Sequence, residues 1–138
     1  MAAFILDCSV AISWLLPDEI YKEEFLNQVT EQGAMVPSLW TLEVSNVLLM
    51  AQRRQRINIQ QRQEALHILS RLPIIIDNNT SQVTWLEIVD LADRYHLTVY
   101  DACYLELALR QDLPLATYDK DLLEGAKAAG AKIAEIKT

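Results

Sequence analysis

Four acidic residues that are far apart in the sequence occupy similar places, either at the end of an apolar stretch or in the first turns of a helix. They are Asp7, Glu43, Asp101 and Asp119. Carboxylate oxygens are the ligands that Mg²⁺ and Mn²⁺ prefer. Carboxylates that are brought together raise one another's pKa and lower stability unless a cation compensates their charge. Divalent ions can polarise a phosphodiester and activate water, so a metal site of this kind could support phosphodiester hydrolysis.

Polar residues close to these acids could support such a site. Asn46 follows Glu43 by three residues and lies on the same side of a predicted helix, where it could bind an ion or hold Glu43 or a water molecule. Ser9 and Thr117 could each donate a hydrogen bond to a carboxylate or to a phosphate. Asp121 is an auxiliary acid, two residues after the last of the four.

Taken singly, each acid also has an ordinary structural explanation. An acid in the first turn of a helix is stabilised by free backbone N–H groups, which would account for Asp101, and a helix cap would account for Asp119 or Asp121. Glu43 could be a solvent-exposed helix residue. The acids gain weight together because they recur at equivalent positions of one predicted sheet. The pattern alone leaves both interpretations open.

Short apolar segments alternate with helical patterns along the chain. The predicted strands are residues 2–7, 34–36, 74–77, 114–117 and 131–136, and the predicted helices are residues 9–16, 18–31, 38–54, 58–72, 78–95, 98–109 and 122–129. This alternation predicts a parallel, three-layer α/β/α domain with right-handed crossovers. In a parallel sheet the carboxyl ends of the strands share one edge, where open α/β folds bind their ligands. We therefore expect the acids to converge at that edge.

Length and composition are those of a folded domain. The 138 residues suffice for a substantial core, and we expect one domain over residues 1–138. An apolar fraction of 51%, with 3 glycines and 4 prolines, excludes disordered and fibrous classes. No apolar run has membrane-spanning length and the opening lacks the features of a signal peptide, so we expect a cytoplasmic protein without membrane contact. Cys8 and Cys103 lack metal-binding spacing and are expected as buried thiols.

The net charge of −7 is unevenly distributed and leaves a nucleic-acid partner open. Five arginines and one acid, Glu64, lie between positions 53 and 71, which gives that segment a charge of +4 and the rest of the chain −11. The arginines are Arg53, Arg54, Arg56, Arg62 and Arg71. The first three could follow the backbone of a nucleic acid, or could belong to a solvated turn.

With these residues identified, the chain resembles the PIN-domain nucleases, and in particular the VapC-like toxins of prokaryotic toxin–antitoxin pairs. The resemblance extends from Phe4 to about Ile133. Its motifs are Ile-Leu-Asp-Cys-Ser from residue 5, Leu-Glu-Val-Ser-Asn from residue 42, Tyr-Asp-Ala-Cys-Tyr-Leu-Glu-Leu-Ala from residue 100 and Leu-Ala-Thr-Tyr-Asp-Lys-Asp-Leu from residue 115. Each motif is short, and their order and spacing together make the match specific.

The resemblance implies a parallel sheet of about five strands with the first strand central, and an acidic pocket that holds Mg²⁺ or Mn²⁺. It assigns the catalytic and metal-binding roles to Asp7, Glu43, Asp101 and Asp119, and supporting roles to Ser9, Asn46, Thr117 and Asp121. The family cleaves RNA, commonly as a homodimer, and toxin members are silenced by a cognate antitoxin whose tail covers the pocket. Cys8 departs from the family pattern, where threonine or another small residue is common.

Other functions are also open to test. The chain could be a PIN-like module with weak catalysis that acts mainly by binding a partner protein. A haloacid-dehalogenase-like phosphatase would need an aspartate two residues after Asp7, where Ser9 stands, and a receiver domain would need an acid pair beside the first strand. A nucleotide-binding fold would need a glycine-rich loop, which the sequence lacks.

Overall fold

A computed structural model describes residues 2–20 and 23–135, and a parallel sheet lies at its centre. The strands in the described part are β1 (Ile5–Leu6), β2 (Ala34–Pro37), β3 (Ile74–Asp77) and β4 (Leu115–Ala116), in the order β3-β2-β1-β4. All three pairings are parallel, so the carboxyl ends of the strands share one edge. The predicted α/β architecture is confirmed, with the first strand in the interior of the sheet.

Helices connect the strands and cover the sheet. They are α1 (Cys8–Ser13), α2 (Glu23–Gln32), α3 (Leu39–Arg53), α4 (Ile59–Ser70), α5 (Thr80–Val83), a π-helical turn (Thr84–Ile88), α6 (Val89–Tyr95), α7 (Val99–Gln111) and α8 (Lys120–Ala128). Helix α7 has a continuous run of buried residues, 102–108. Its start is fixed by Thr98, whose Oγ1 accepts a hydrogen bond from the backbone N–H of Asp101 at 3.0 Å.

Residues of the predicted fifth strand run beside β4 but pair with it at one point. Leu115 and Ile133 form an isolated parallel bridge. It is flanked by backbone hydrogen bonds from Leu115 to Lys132 and from Ala134 to Leu115, both 2.9 Å. Residue 136 of that prediction lies outside the described residues. The described part of the sheet therefore has four strands, with a fifth segment along the β4 edge.

Three helical predictions differ in detail. The first helix ends at Ser13 instead of residue 16, and the chain continues as a tighter turn in which Leu15 donates a backbone hydrogen bond to Ile12; Pro17 disfavours helical conformation at the residue before it. The second begins at Glu23 within the described residues; positions 21 and 22 of its predicted span lie outside them. The long helix predicted over residues 78–95 is divided into α5, the π-helical turn and α6. A π-helical turn shifts the buried face, and Ile88 is buried here while Leu86 is exposed.

Gly33 sets the connection between α2 and β2. Its φ is +80°, and a Cβ atom at this position would lie 2.7 Å from the carbonyl oxygen of Pro73. Ala3 donates a backbone hydrogen bond to the Gly33 carbonyl at 2.9 Å, so this turn also holds the segment that leads into β1. Glycine is needed here for its backbone conformation and for the space around it.

We predict that Gly33→Ala destabilises the protein by more than Gly130→Ala. Gly130 has a similar φ of +81°, but no atom lies within 4 Å of its would-be Cβ. The control should therefore lose only the conformational part, about 1–2 kcal/mol, whereas Gly33→Ala adds the clash with the backbone of Pro73. Denaturant unfolding of both variants measures the difference, and equal losses would contradict a steric role for Pro73.

Candidate active site

Asp7 directly follows β1 and is the most buried of the predicted acids. Its carboxylate oxygen Oδ2 accepts hydrogen bonds from Ser9 Oγ at 2.6 Å and from Thr117 Oγ1 at 2.7 Å. The two hydroxyls also accept hydrogen bonds from backbone N–H groups of the loop after β4. Ser9 Oγ accepts from Tyr118 at 3.0 Å, and Thr117 Oγ1 accepts from Asp119 at 2.9 Å. Asp7 is thus held in one orientation, and the ends of β1 and β4 are joined through it.

Asp119 and Asp101 each lie at the start of a helix. Asp119 caps α8, and its Oδ1 accepts a hydrogen bond from the backbone N–H of Leu122 at 2.9 Å. Its second oxygen has no hydrogen bond among the described residues. Asp101 is in the first turn of α7 and is partly buried. Both acids therefore occupy the helix-cap and first-turn positions expected from the sequence. These structural positions are compatible with a shared site.

Glu43 approaches from α3 and is held by a residue that was given no role in the sequence analysis. Its Oε1 accepts a hydrogen bond from the hydroxyl of Tyr104 at 2.5 Å. Tyr104 belongs to α7 and is fully buried. The signal in the sequence was its place three residues after Asp101, on the same side of one helix.

The electrostatics place the four acids in one region. Burial, together with the charges of Asp119 and Asp7, raises the pKa of Asp101 from 3.8 to about 6, against a lowering by Thr98. Burial likewise raises the pKa of Glu43; the Tyr104 hydrogen bond opposes this, and Asp7 and Asp101 add to it. Burial also raises the pKa of Asp7, which its two hydroxyl donors lower and Asp119 raises. The pKa of each of these three carboxyls is therefore raised by the charge of at least one other acid of the set.

In the part of the chain that the structure describes, no lysine or arginine forms an ion pair with any of these four acids. The ion pairs that lysine and arginine form there involve other acids. Asp77 shows the contrast. It ends β3 at the same edge of the sheet, but Arg110 donates to both of its oxygens at 3.0 and 2.8 Å. Arg110 also binds the buried Glu106 at 2.8 Å, and it lowers the pKa of Asp77. Asp77 is therefore a structural acid and not a member of the acidic pocket, the site formed by Asp7, Glu43, Asp101 and Asp119.

The donor set of the pocket fits a divalent ion. Within residues 2–20 and 23–135, no three His, Cys, Asp or Glu side chains stand close enough together to hold one ion. Mg²⁺, however, keeps several waters and is bound through one or two carboxylates, so a preformed cage is not required. The pocket offers hard oxygen donors and uncompensated negative charge, which are the properties that such an ion selects.

The remaining predicted residues lie around this pocket or away from it. Asn46 is exposed and makes no described hydrogen bond to Glu43, so the companion of Glu43 in the structure is Tyr104. Asp121 is exposed in the first turn of α8, and its charge raises the pKa of Asp101. Arg53 and Arg54 are exposed at the end of α3. Arg56 is bound to Asp18 by two hydrogen bonds of 2.8 Å.

The chain belongs to the PIN domain family, whose sequence profile matches residues 4–128. PIN domains are generally nucleases and typically use divalent metal ions. The fold is also similar to the crystal structure of PAE2754 from Pyrobaculum aerophilum, with a TM-score of 0.66 and 19% sequence identity over 91% of this chain and 86% of that one. A comparison with curated proteins finds no match. No helix in the described part of the chain is long and apolar enough to cross a membrane.

The raised pKa of Asp101 predicts how its replacement changes stability with pH. Without metal, an ionised Asp101 is disfavoured in the folded state, so Asp101→Asn should stabilise the protein at pH 7 and above. The gain should shrink as the pH falls through about 6 and vanish below 3.8, where the carboxyl is neutral in both the folded and the unfolded state.

Denaturant unfolding in EDTA from pH 8 to pH 4 measures this effect. The matched control is Asp93→Asn, which changes an exposed acid of α6. A gain for Asp101→Asn that is the same at every pH, or a loss at pH 7, would contradict the crowding of charge in the pocket.

Proposed function

We propose that this protein is an Mg²⁺- or Mn²⁺-dependent endoribonuclease, the toxin of a VapC-like toxin–antitoxin pair. The observation that carries the proposal is the cluster of Asp7, Glu43, Asp101 and Asp119 at the carboxyl edge of the sheet of a PIN domain, without a cationic partner among the described residues. Such a cluster lowers stability in the absence of metal. Its presence is explained if an ion compensates the charge in the working protein.

The carboxylates differ in what they can contribute. Asp7 is fixed by Ser9 and Thr117, and it would hold an ion in a defined place beside β1. Glu43 and Asp119 each have one oxygen engaged in a hydrogen bond, so each has a second oxygen for an ion or a water molecule. When bound, the divalent ion supplies polarisation of the phosphodiester and stabilisation of the leaving oxygen.

RNA contacts beyond the pocket are supported most by Arg53 and Arg54. Both are exposed and form no ion pair among the described residues. Arg53 lies ten residues after Glu43 on α3, about 15 Å along the helix axis. An RNA strand that extends from the pocket could reach it. Arg56 would have to exchange Asp18 for a phosphate.

The proposal includes a homodimer and a cognate antitoxin that covers the pocket. Its structural support is a set of large apolar side chains that remain exposed. Trp85 and Leu86 in the π-helical turn are 86% and 80% exposed, and Leu42, the neighbour of Glu43, is 74% exposed. Large exposed apolar side chains often mark surfaces that contact another protein, so these residues are candidates for protein contacts.

The same exposed residues favour a second candidate function, a PIN-like module that acts mainly by binding a partner protein. A small open reading frame directly upstream that encodes a DNA-binding protein would support the toxin. Its absence would favour a solitary nuclease or a binding module.

Cleavage of a panel of folded RNAs, tRNA included, tests the nuclease directly. We expect cleavage with Mn²⁺ or Mg²⁺, none with EDTA, and none of single-stranded DNA. Asp101→Asn should reduce the rate by more than the roughly 10- to 100-fold that loss of an outer-shell partner costs, because a ligand itself is removed.

Asp93→Asn is the control for this experiment, since it removes an equal charge from the surface of α6. Cleavage that persists in EDTA, or at full rate in a folded Asp101→Asn variant, would overturn the assignment. If neither the native protein nor the control cleaves RNA and neither binds metal, the partner-binding module becomes the better account.

A further inference from the structure

The hydrogen bond between Tyr104 and Glu43 joins α7 to α3 inside the acidic pocket. The hydroxyl of Tyr104 donates to Glu43 Oε1 at 2.5 Å, across 61 positions of sequence. The ring of Tyr104 is fully buried, so it has little freedom to take another conformation. Glu43, by contrast, is only partly buried and has a long side chain with several accessible rotamers. Tyr104 is therefore the rigid member of the pair.

A buried tyrosine needs a hydrogen-bond partner, and a backbone carbonyl on a neighbouring helix would serve that need. This tyrosine instead donates to a carboxylate in the pocket, and the described residues provide its hydroxyl with no second acceptor. Glu43 Oε2 has no hydrogen bond among the described residues. One oxygen of Glu43 is thus occupied by the donor, and the other is available.

Tyr104 also ties Glu43 to another member of the cluster. Asp101 and Tyr104 are three residues apart on α7, about one helical turn. The same helix therefore sets the position of Asp101 directly and that of Glu43 through the tyrosine hydroxyl. Side chains on two different elements are in this way placed relative to each other by one rigid helix.

We propose that Tyr104 is a positioning residue that holds Glu43 in the conformation in which Oε2 can bind a divalent ion. The inference rests on the proposed function, because it assumes that Glu43 is a ligand. Outer-shell donors of this kind orient a carboxylate before the ion arrives, and their loss typically weakens metal binding by about 10- to 100-fold. Tyr104 itself does not contact the ion or the RNA.

The test is Mn²⁺ binding to the metal-free protein, followed by electron paramagnetic resonance of the free ion and without any RNA. Tyr104→Phe keeps the buried ring and removes only the donor. We expect Mn²⁺ affinity to fall by about 10- to 100-fold. Tyr95→Phe is the matched control, because it removes a hydroxyl from a partly buried tyrosine of α6 and should leave the affinity unchanged.

A double-mutant cycle with Glu43→Gln separates positioning from general damage to the fold. If Tyr104 acts through Glu43, then Tyr104→Phe should weaken Mn²⁺ binding in the native background and add nothing in the Glu43→Gln background. A purely structural role would produce the same loss in both backgrounds. Should Tyr104→Phe alone fail to fold, the comparison of Glu43→Gln with the double variant still tests the proposal, because a further loss of Mn²⁺ affinity in the double variant would overturn it.

The outcomes are distinct. Native protein that binds no Mn²⁺ contradicts the proposed function, and the role of Tyr104 falls with it. Native protein that binds Mn²⁺, with Glu43→Gln weakened and Tyr104→Phe unchanged, leaves the nuclease in place and overturns the role of Tyr104. Equal losses from Tyr104→Phe in both backgrounds also overturn it. Non-additive loss supports it.

Discussion

Negative charge that is partly buried, and that no described lysine or arginine compensates, is the constraint on which the arrangement of this protein depends. At the carboxyl edge of the sheet, burial and neighbouring acids raise the pKa of Asp7, Glu43 and Asp101 together. The chain can neutralise an acid at this edge, since Arg110 does so for Asp77. The fold thus treats two strand-ending aspartates in opposite ways. A destabilising acid that is left unpaired, beside an acid at an equivalent position that is neutralised, is typical of a functional site.

The surrounding structure keeps the acids in place despite their repulsion. Ser9 and Thr117 bind the Asp7 carboxylate from α1 and from the loop after β4, so β1 and β4 are fastened where their charges meet. The buried helix α7 supplies Asp101 at its start and Tyr104 one turn later. Helix α3 then needs only to place Glu43 against that tyrosine. The pocket is assembled from elements that are distant in sequence, through hydrogen bonds that each fix one carboxylate.

Much of this arrangement follows from patterns in the sequence. The apolar segments that end in Asp7 and Asp77 predicted two of the strands and the sheet edge at which they end. The alternation of strands with helices predicted that the strands are parallel. The buried face of α3 is harder to predict. The spacing of Leu39, Leu42, Val47 and Met50 indicates one apolar stripe, but Leu42 is exposed and the buried residues are Trp40, Val44, Leu48 and Ala51. Several faces of that helix carry apolar residues, so periodicity alone could not select one.

The sequence alone could not predict which polar side chains pair with each other in the folded protein. Asn46 is the near neighbour of Glu43 in the chain, whereas its partner in space is Tyr104 on another helix. Nothing local distinguishes Asp77 from Asp7 either, because Arg110 lies 33 residues away from the acid that it neutralises. Local patterns identify the acids at the edge, and only the packing of α7 decides which of them remain without a counter-charge.

Anomalous diffraction at the manganese absorption edge, from crystals soaked in Mn²⁺, tests the central claim most directly. If the four carboxylates form one metal-binding pocket, the anomalous peak will lie at the carboxyl edge of the sheet, bonded to oxygens of at least two of Asp7, Glu43, Asp101 and Asp119. A protein that binds Mn²⁺ in solution but shows its peak elsewhere, or a pocket that stays without a peak at saturating Mn²⁺, would contradict the account.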